Sequence, residues 1–307
     1  LRRLLPAGGR RLGQVEVPGR LDRVRALIKA ILPTREHSLP RQAARATLLA
    51  AALAAAWETG VERWSFDPRI DVGAGWGDFA NRGVAIWLDV TRSTSEPCRR
   101  RIFVAPIDAR LIALDASTGE PCRDFGTDGQ VDLKTDLLNP PERGEYAVTS
   151  PPVVIGDVVA VGSSISDNQR AEAPSGVVRA FEVRTGKLLW SWDPIPRDPE
   201  TPGYGTWKSS NAKSKTGHAN AWSVMSADPE RDLLFVPTGS ASPDFYGGER
   251  LGQNLYANSV VALRASTGKP VWHFQAVHHD IWDYDVPAQP ALFTWRRDGV
   301  AIPALAQ

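Results

Sequence analysis

The chain is poor in sulfur, with two cysteines and one methionine in 307 residues. It has no Cys-x-x-Cys-His, so electrons cannot leave through a covalently attached haem on this chain. No apolar run reaches the ~20 residues of a membrane-spanning helix. The nearest, Ala46–Trp57, covers twelve and follows Arg41 and Arg45. Its internal position and the repeat that begins inside it argue against a signal segment. Gly73-Ala-Gly75-Trp-Gly77 is too short for a dinucleotide fingerprint and opens no helical pattern. Residues 57–307 lack a clustered basic and aromatic face, which argues against a nucleic-acid partner. Aromatic residues are missing altogether from residues 1–56, where 11 Lys/Arg stand against 3 Asp/Glu. All 25 aromatics fall in residues 57–307, with 25 Lys/Arg and 32 Asp/Glu. The net charge of +1 hides this split, and two kinds of sequence join near residue 56. The chain opens without Met and stops just after a strand-like Ala301-Ile-Pro-Ala-Leu305, so both ends read as fragment ends.

What is present points to β-structure. Helix formers do not dominate, and 26 Gly with 24 Pro imply many tight turns, while 42% hydrophobic residues suffice for a large core. One pattern recurs four times. Ala262-Leu-Arg-Ala-Ser-Thr267-Gly268-Lys-Pro-Val-Trp272 matches Ala180-Phe-Glu-Val-Arg-Thr185-Gly186-Lys-Leu-Leu-Trp190. Ala54 to Trp64, with Thr59-Gly60, is a further copy, and Ala113 to Thr118-Gly119 is a copy without the tryptophan. Alternating strand residues run into Thr-Gly, where glycine supplies the positive φ of a tight turn, and a second strand leaves carrying an indole. A repeated hairpin cannot bury its face alone, so successive copies should stack, with Trp64, Trp190 and Trp272 wedged between sheets. The glycines are 59, 67 and 82 residues apart, longer than the ~40–50 of a simple propeller blade. A β-propeller with inserted loops is the expected architecture; unrelated hairpins of a β-sandwich are the alternative. Within it, Ser223–Ser226 and Leu233–Pro237 read as a strand pair, as do Arg101–Ala105 and Leu111–Asp115. The second pair lets its flanking Cys98 and Cys122 approach, as a disulfide worth ~3 kcal/mol or as two free thiols.

Residues 271–290, VWHFQAVHHDIWDYDVPAQP, gather the adjacent pair His278-His279, three aspartates and Trp272, Trp282 and Tyr284. Aspartate held among indoles gains basicity because water is scarce, which makes a general base; an aromatic cluster with solvated acids is the plainer alternative. A zinc site from the adjacent His278 and His279 is disfavoured, since neighbouring side chains on a strand point to opposite faces.

The repeat and this acidic segment together resemble the quinoproteins, the pyrroloquinoline-quinone (PQQ) dependent dehydrogenases of the glucose/quinate/shikimate type. The resemblance runs from about Trp57 to Gln307. It implies an all-β, eight-bladed propeller with tryptophan-docking motifs, of which about four blades (residues 54–307) are present. Residues 1–53 are not covered and read as an unassigned extension, disordered, helical or misread. The resemblance further implies oxidation of a sugar, polyol or cyclic alcohol by hydride transfer to PQQ. It implies electron passage to a quinone, a Ca²⁺ or Mg²⁺ ion, and a periplasmic site associated with the inner membrane.

It also places residues. Asp283 takes the position of the catalytic base, with His278, His279 and Asp280 shaping the space around it. Trp222, in His218-Ala-Asn220-Ala-Trp222, takes that of the platform under the cofactor, with Asn220 a polar contact. Arg82 of Arg-Gly-Val, Thr149, Ser163 and Ser164 fall where the family contacts the cofactor's carboxylates, as donors without bulk suit. Asp167 and Asn168 fall where the family binds its hard cation, which takes oxygen ligands. An Asx turn is the structural alternative there. The family's asparagine ligand would lie within Thr238–Pro243, where Ser242 is the substitute. Glucose-oxidising members carry a histidine four residues before the arginine; Asp78 stands there, which counts against glucose. A non-enzymatic propeller scaffold of the outer-membrane assembly type, and an inactive fragment of the dehydrogenase, are the competing readings.

Overall fold

The computed structural model describes residues 62–307 apart from Asp78, Ser210 and Asn211. The extension 1–53, Thr59-Gly60 of the first repeat copy and Asp78 lie outside the described residues. Three four-stranded antiparallel meanders follow one another. The first comprises β1 (Ala85–Leu88), β2 (Arg100–Val104), β3 (Arg110–Asp115) and β4 (Gln130–Asp132). The second orders β6 (Val153–Ile155), β7 (Val158–Val161), β9 (Val178–Glu182) and β10 (Leu188–Trp192). The third orders β11 (Ser226–Asp228), β12 (Leu233–Pro237), β13 (Ser259–Arg264) and β14 (Pro270–Gln275). A hairpin of β15 (Ala291–Arg297) and β16 (Val300–Ala306) comes last, and β5 (Tyr146–Ala147) pairs with β8 (Ser164–Ile165) beside the second sheet. Among the described residues this is a partial propeller of three four-stranded sheets and a hairpin, in keeping with the expectation of about four blades.

The middle strands are covered on both faces, so they read as near-continuous apolar runs rather than clean alternations. Ile102, Phe103 and Val104 of β2 are all buried, as are Val178, Ala180 and Phe181 of β9. One core joins the first two sheets, through Phe103, Leu111, Phe125, Val159 and Phe181. Another joins the second and third, through Val178, Trp190, Leu234, Val236 and Val261. Every residue of β15 is exposed.

The repeat's tryptophan docks forward onto the next copy's turn. Trp64 Nε1 donates to Ala116 O (3.2 Å), and Trp190 Nε1 donates to Ala265 O (2.8 Å), two residues before Thr118 and Thr267 respectively. The turn glycine must be bare. A Cβ on Gly119 (φ 78°) or Gly268 (φ 71°) would come within 2.5 and 2.6 Å of the docked indole. Trp272 departs from the expectation that it would be enclosed between sheets. It packs on Phe235 of its own sheet (ring centroids 5.8 Å) and stays 41% exposed, in a cleft shared with Leu292 and Phe293.

The copy that lacks a tryptophan has a different junction. The carbonyl it would have met, Val183 O, accepts from Arg101 Nη1 (3.3 Å), which also donates to Arg184 O (2.7 Å). Arg101 is fully buried and paired with Asp124 (2.6 Å). Burial pulls its guanidinium below the usual arginine value, and the Asp124 carboxylate opposes that. Asp124 follows Cys122, which is joined to Cys98 in a disulfide with Cα atoms 5.8 Å apart.

Strand boundaries differ from expectation at two hairpins. β11 spans Ser226–Asp228 rather than Ser223–Ser226, and the Ser223 and Ser226 hydroxyls hold Pro287 O and Pro290 O of the loop after β14. The first hairpin begins one residue earlier on each strand, at Arg100 and Arg110.

Candidate active site

In an antiparallel meander, the start of the first strand and the ends of the second and fourth share one end of the sheet. The loops carrying the expected site residues are these: Arg82 before β1, Thr149 before β6, Ser163–Asn168 after β7, Trp222 before β11, Ser240–Asp244 after β12, and residues 276–290 after β14. Topology alone therefore gathers them, and hydrogen bonds tie them together. Thr149 Oγ1 donates to Trp222 O (2.8 Å), and Arg82 Nη1 donates to Thr149 O (3.2 Å) and Trp222 O (3.4 Å). Asn220 Nδ2 donates to Ser163 O (2.9 Å). Thr149, Ser163 and Asn220 are all buried.

Trp222 is half-buried and held on two sides. Its Nε1 donates to Asp285 Oδ2 (2.6 Å), and the Arg82 guanidinium lies 4.8 Å from its ring centroid. The other Asp285 oxygen accepts from Ser240 N (2.8 Å). Burial raises the Asp285 carboxyl, while the Ser240 N–H and the Trp222 indole pull it down.

Asp283 sits in left-handed backbone (φ 57°), a conformation aspartate tolerates better than most side chains. Burial, then the charges of Asp285, Asp244, Asp167 and Asp280, push its pKa up to about 6. Asp283 and Asp167 thus feel each other's charge although 116 residues separate them. Asp280 shapes the loop from within. It is 1% exposed, and its carboxylate accepts from the Ser240 hydroxyl, Tyr284 N (2.7 Å), Trp282 N (3.1 Å) and Asn258 Nδ2 (3.3 Å). His279 Nδ1 lies 2.9 Å from Gly252 O, and His278 is exposed.

Asp167 and Ser164 line an open cleft of about 380 Å³ with Arg143, Glu145, Ala147 and Gln169. Asn168, next to Asp167, is exposed in left-handed backbone (φ 56°). Ser242 is differently placed. Its hydroxyl donates to Ala171 O (2.7 Å) and accepts from Gly217 N (2.9 Å), so backbone groups occupy it on both counts.

Comparison with known proteins identifies the family. Residues 45–307 match the model of the glucose/ethanol/alcohol dehydrogenase β-propeller domain, a PQQ family. The chain belongs to this family. It is 40% identical over 261 residues to quinoprotein glucose dehydrogenase A of Acinetobacter calcoaceticus, covering 80% of this chain and 32% of that protein. It is 42% identical over 213 residues to the quinate/shikimate dehydrogenase (quinone) of Acinetobacter baylyi, covering 68% and 25%. Among solved structures it is similar to the quinohemoprotein alcohol dehydrogenase of Comamonas testosteroni, with TM-score 0.64, 28% identity, and coverage of 80% and 35%. The chain therefore spans about a third of the length of such relatives.

Sequence reasoning missed Asp285, Asp244, His218, Ser240 and Asn258. Two had a signal. His218 stands inside the segment quoted for Trp222, and Asp285 follows Asp283 at a spacing of two, which on extended chain keeps one side. The rest are recognisable only from their three-dimensional partners.

Proposed function

We propose that this chain is part of a PQQ-dependent dehydrogenase that oxidises a sugar, polyol or cyclic alcohol and passes electrons to a quinone in the periplasm. The observation that carries the reading is the meeting of a carboxylate poised near pH 6 with a braced indole and an arginine at one end of the blades. PQQ, when bound, supplies a two-electron acceptor for hydride. The residues present fit such a group. The Trp222 ring, steadied at its edge by Asp285, offers a flat face. Arg82, Thr149, Ser163, Ser164 and Asn220 offer small donors, and nearby Ser150 has a buried hydroxyl with no partner among the described residues. Asp167 and Asn168 offer oxygen to a divalent cation, while the Ser242 hydroxyl is engaged by Ala171 O and Gly217 N. Asp283 Oδ takes the substrate's hydroxyl proton, and the raised pKa keeps it a competent base at neutral pH. Asp78, where glucose-oxidising members carry a histidine, counts against glucose as the substrate.

The test has two stages. Tryptophan fluorescence of the chain is followed on adding PQQ with Ca²⁺ or Mg²⁺, and quenching that saturates is expected. Turnover is then screened over glucose, quinate and polyols with an artificial electron acceptor. Asp283→Asn should abolish turnover and leave the quenching intact, and wild-type activity should fall as pH drops through about 6, where Asp283 is protonated. Full activity in Asp283→Asn, or a chain indifferent to PQQ, would overturn the reading.

A further inference from the structure

Beside Ser242 lies a second set of donors. His218 and Asp244 are 2% and 1% exposed, and His218 Nδ1 lies 3.2 Å from Asp244 Oδ1. His218 Nε2 and Asp244 Oδ2 are buried and meet no hydrogen-bonding partner among the described residues. An unsatisfied buried polar atom costs about 1–3 kcal/mol, so each of these side chains argues for a further partner. Asp167 adds a third, solvent-facing donor. One ring nitrogen of His218 and one carboxylate oxygen each from Asp167 and Asp244 lie within 4.8 Å of one another. A cation with bonds of about 2.0–2.4 Å holds its ligands no further apart than about twice that length. The three donors come from the loop after β8, the segment before β11 and the loop after β12, so an ion here would tie the second blade to the third.

We propose that Asp167, His218 and Asp244 form a divalent-metal site that takes a first-row cation of the Mn²⁺/Zn²⁺ class in preference to Ca²⁺ or Mg²⁺. An imidazole nitrogen with two carboxylates is a borderline donor set, whereas Ca²⁺ seeks six to eight oxygens and Mg²⁺ an octahedron of them. The inference deepens the role given above to Asp167 and rests on its being a cation ligand. It replaces Ser242 with His218 and Asp244 as its companions.

Calorimetry on the whole chain without PQQ, titrated separately with Mn²⁺, Zn²⁺, Ca²⁺ and Mg²⁺, tests it. One equivalent of Mn²⁺ or Zn²⁺ should bind at least about tenfold more tightly than Ca²⁺. His218→Gln, which keeps bulk but removes the imidazole, should lose about tenfold or more for Mn²⁺ and Zn²⁺ and abolish the preference. Circular dichroism checks its fold; should it not fold, the solvent-facing Asp167→Asn carries the same comparison. Ca²⁺ preference in the wild type, no binding of any of the four, or unchanged Mn²⁺ and Zn²⁺ affinity in the folded variant would overturn the site. PQQ quenching in the same samples keeps the two readings apart. Metal bound without PQQ leaves the site standing and removes the dehydrogenase. PQQ and Ca²⁺ bound equally by wild type and His218→Gln does the reverse.

Discussion

Two blade junctions share one backbone turn and close it with opposite chemistry. Between the second and third sheets, the Trp190 indole fills the space over Gly268 and spends its single N–H on Ala265 O. Between the first and second, Arg101 supplies the donors to Val183 O and Arg184 O, with Asp124 as counter-charge and the Cys98–Cys122 disulfide holding that loop. The turn therefore requires a donor to its carbonyl rather than an indole. The apolar solution is self-contained. The charged one depends on a partner and a covalent link, because a buried cation stripped of its counter-charge is costly.

The largest expected effect breaks the apolar junction. Trp190→Ala should cost about 4 kcal/mol in chemical denaturation, since it removes a buried indole and leaves a cavity. Gly268→Ala should cost about 3 kcal/mol, because the Cβ meets the indole at 2.6 Å and the backbone is left-handed; Gly299→Ala (φ 79°, nothing within 4 Å) isolates the backbone share at about 1 kcal/mol. The charged junction should respond to a different agent. Reduction, or Cys98→Ser, should cost about 3 kcal/mol, and amide exchange should quicken around Arg101 and Val183 but not around Trp190 and Ala265. Equal quickening at both would refute the contrast. Trp272→Ala, at the same repeat position but 41% exposed, should cost only about 1 kcal/mol.

The smallest effect lies outside both junctions. Asp283 has its folded pKa raised to about 6 by burial and neighbouring carboxylates. Its ionised form is thus disfavoured in the fold, a penalty absent below the unfolded value near 4 and fully present above about 6. Asp283→Asn should therefore stabilise the metal-free chain by about 1 kcal/mol at pH 7, allowing for its partial solvation, and by nothing at pH 3.5. Paired denaturation curves at the two pH values read this directly.

The fold was legible because its signal is local and repeated: a Thr-Gly turn and an indole four residues on identify each hairpin wherever it stands. The blade without its indole was legible as a repeat but not as a junction. Nothing near Arg101 in sequence marks it as the substitute, for its partners lie more than 80 residues away. The site divides the same way. Asp283, Trp222, Arg82 and Asp167 stand in short segments that carry their own pattern. Asp244, Ser240 and Asn258 matter through hydrogen bonds between loops, and periodicity holds no trace of such bonds. Ser242 misled for a related reason: a serine offers the same oxygen whether it faces a cation or, as here, a carbonyl and an amide.

Forward docking of Trp64 and Trp190 has a consequence for how force and fluctuation travel through the chain. Each junction among the described residues points from one repeat to its successor, so the array has a direction, as a row of hooked links does. A blade holds on by its hook and is held by its turn, and Trp272, 41% exposed against Phe235 of its own sheet, closes no junction among the described residues. Loosening one repeat should be felt first by the repeat whose turn its hook fills, and the closed Trp190 link should be among the last of the described contacts to open.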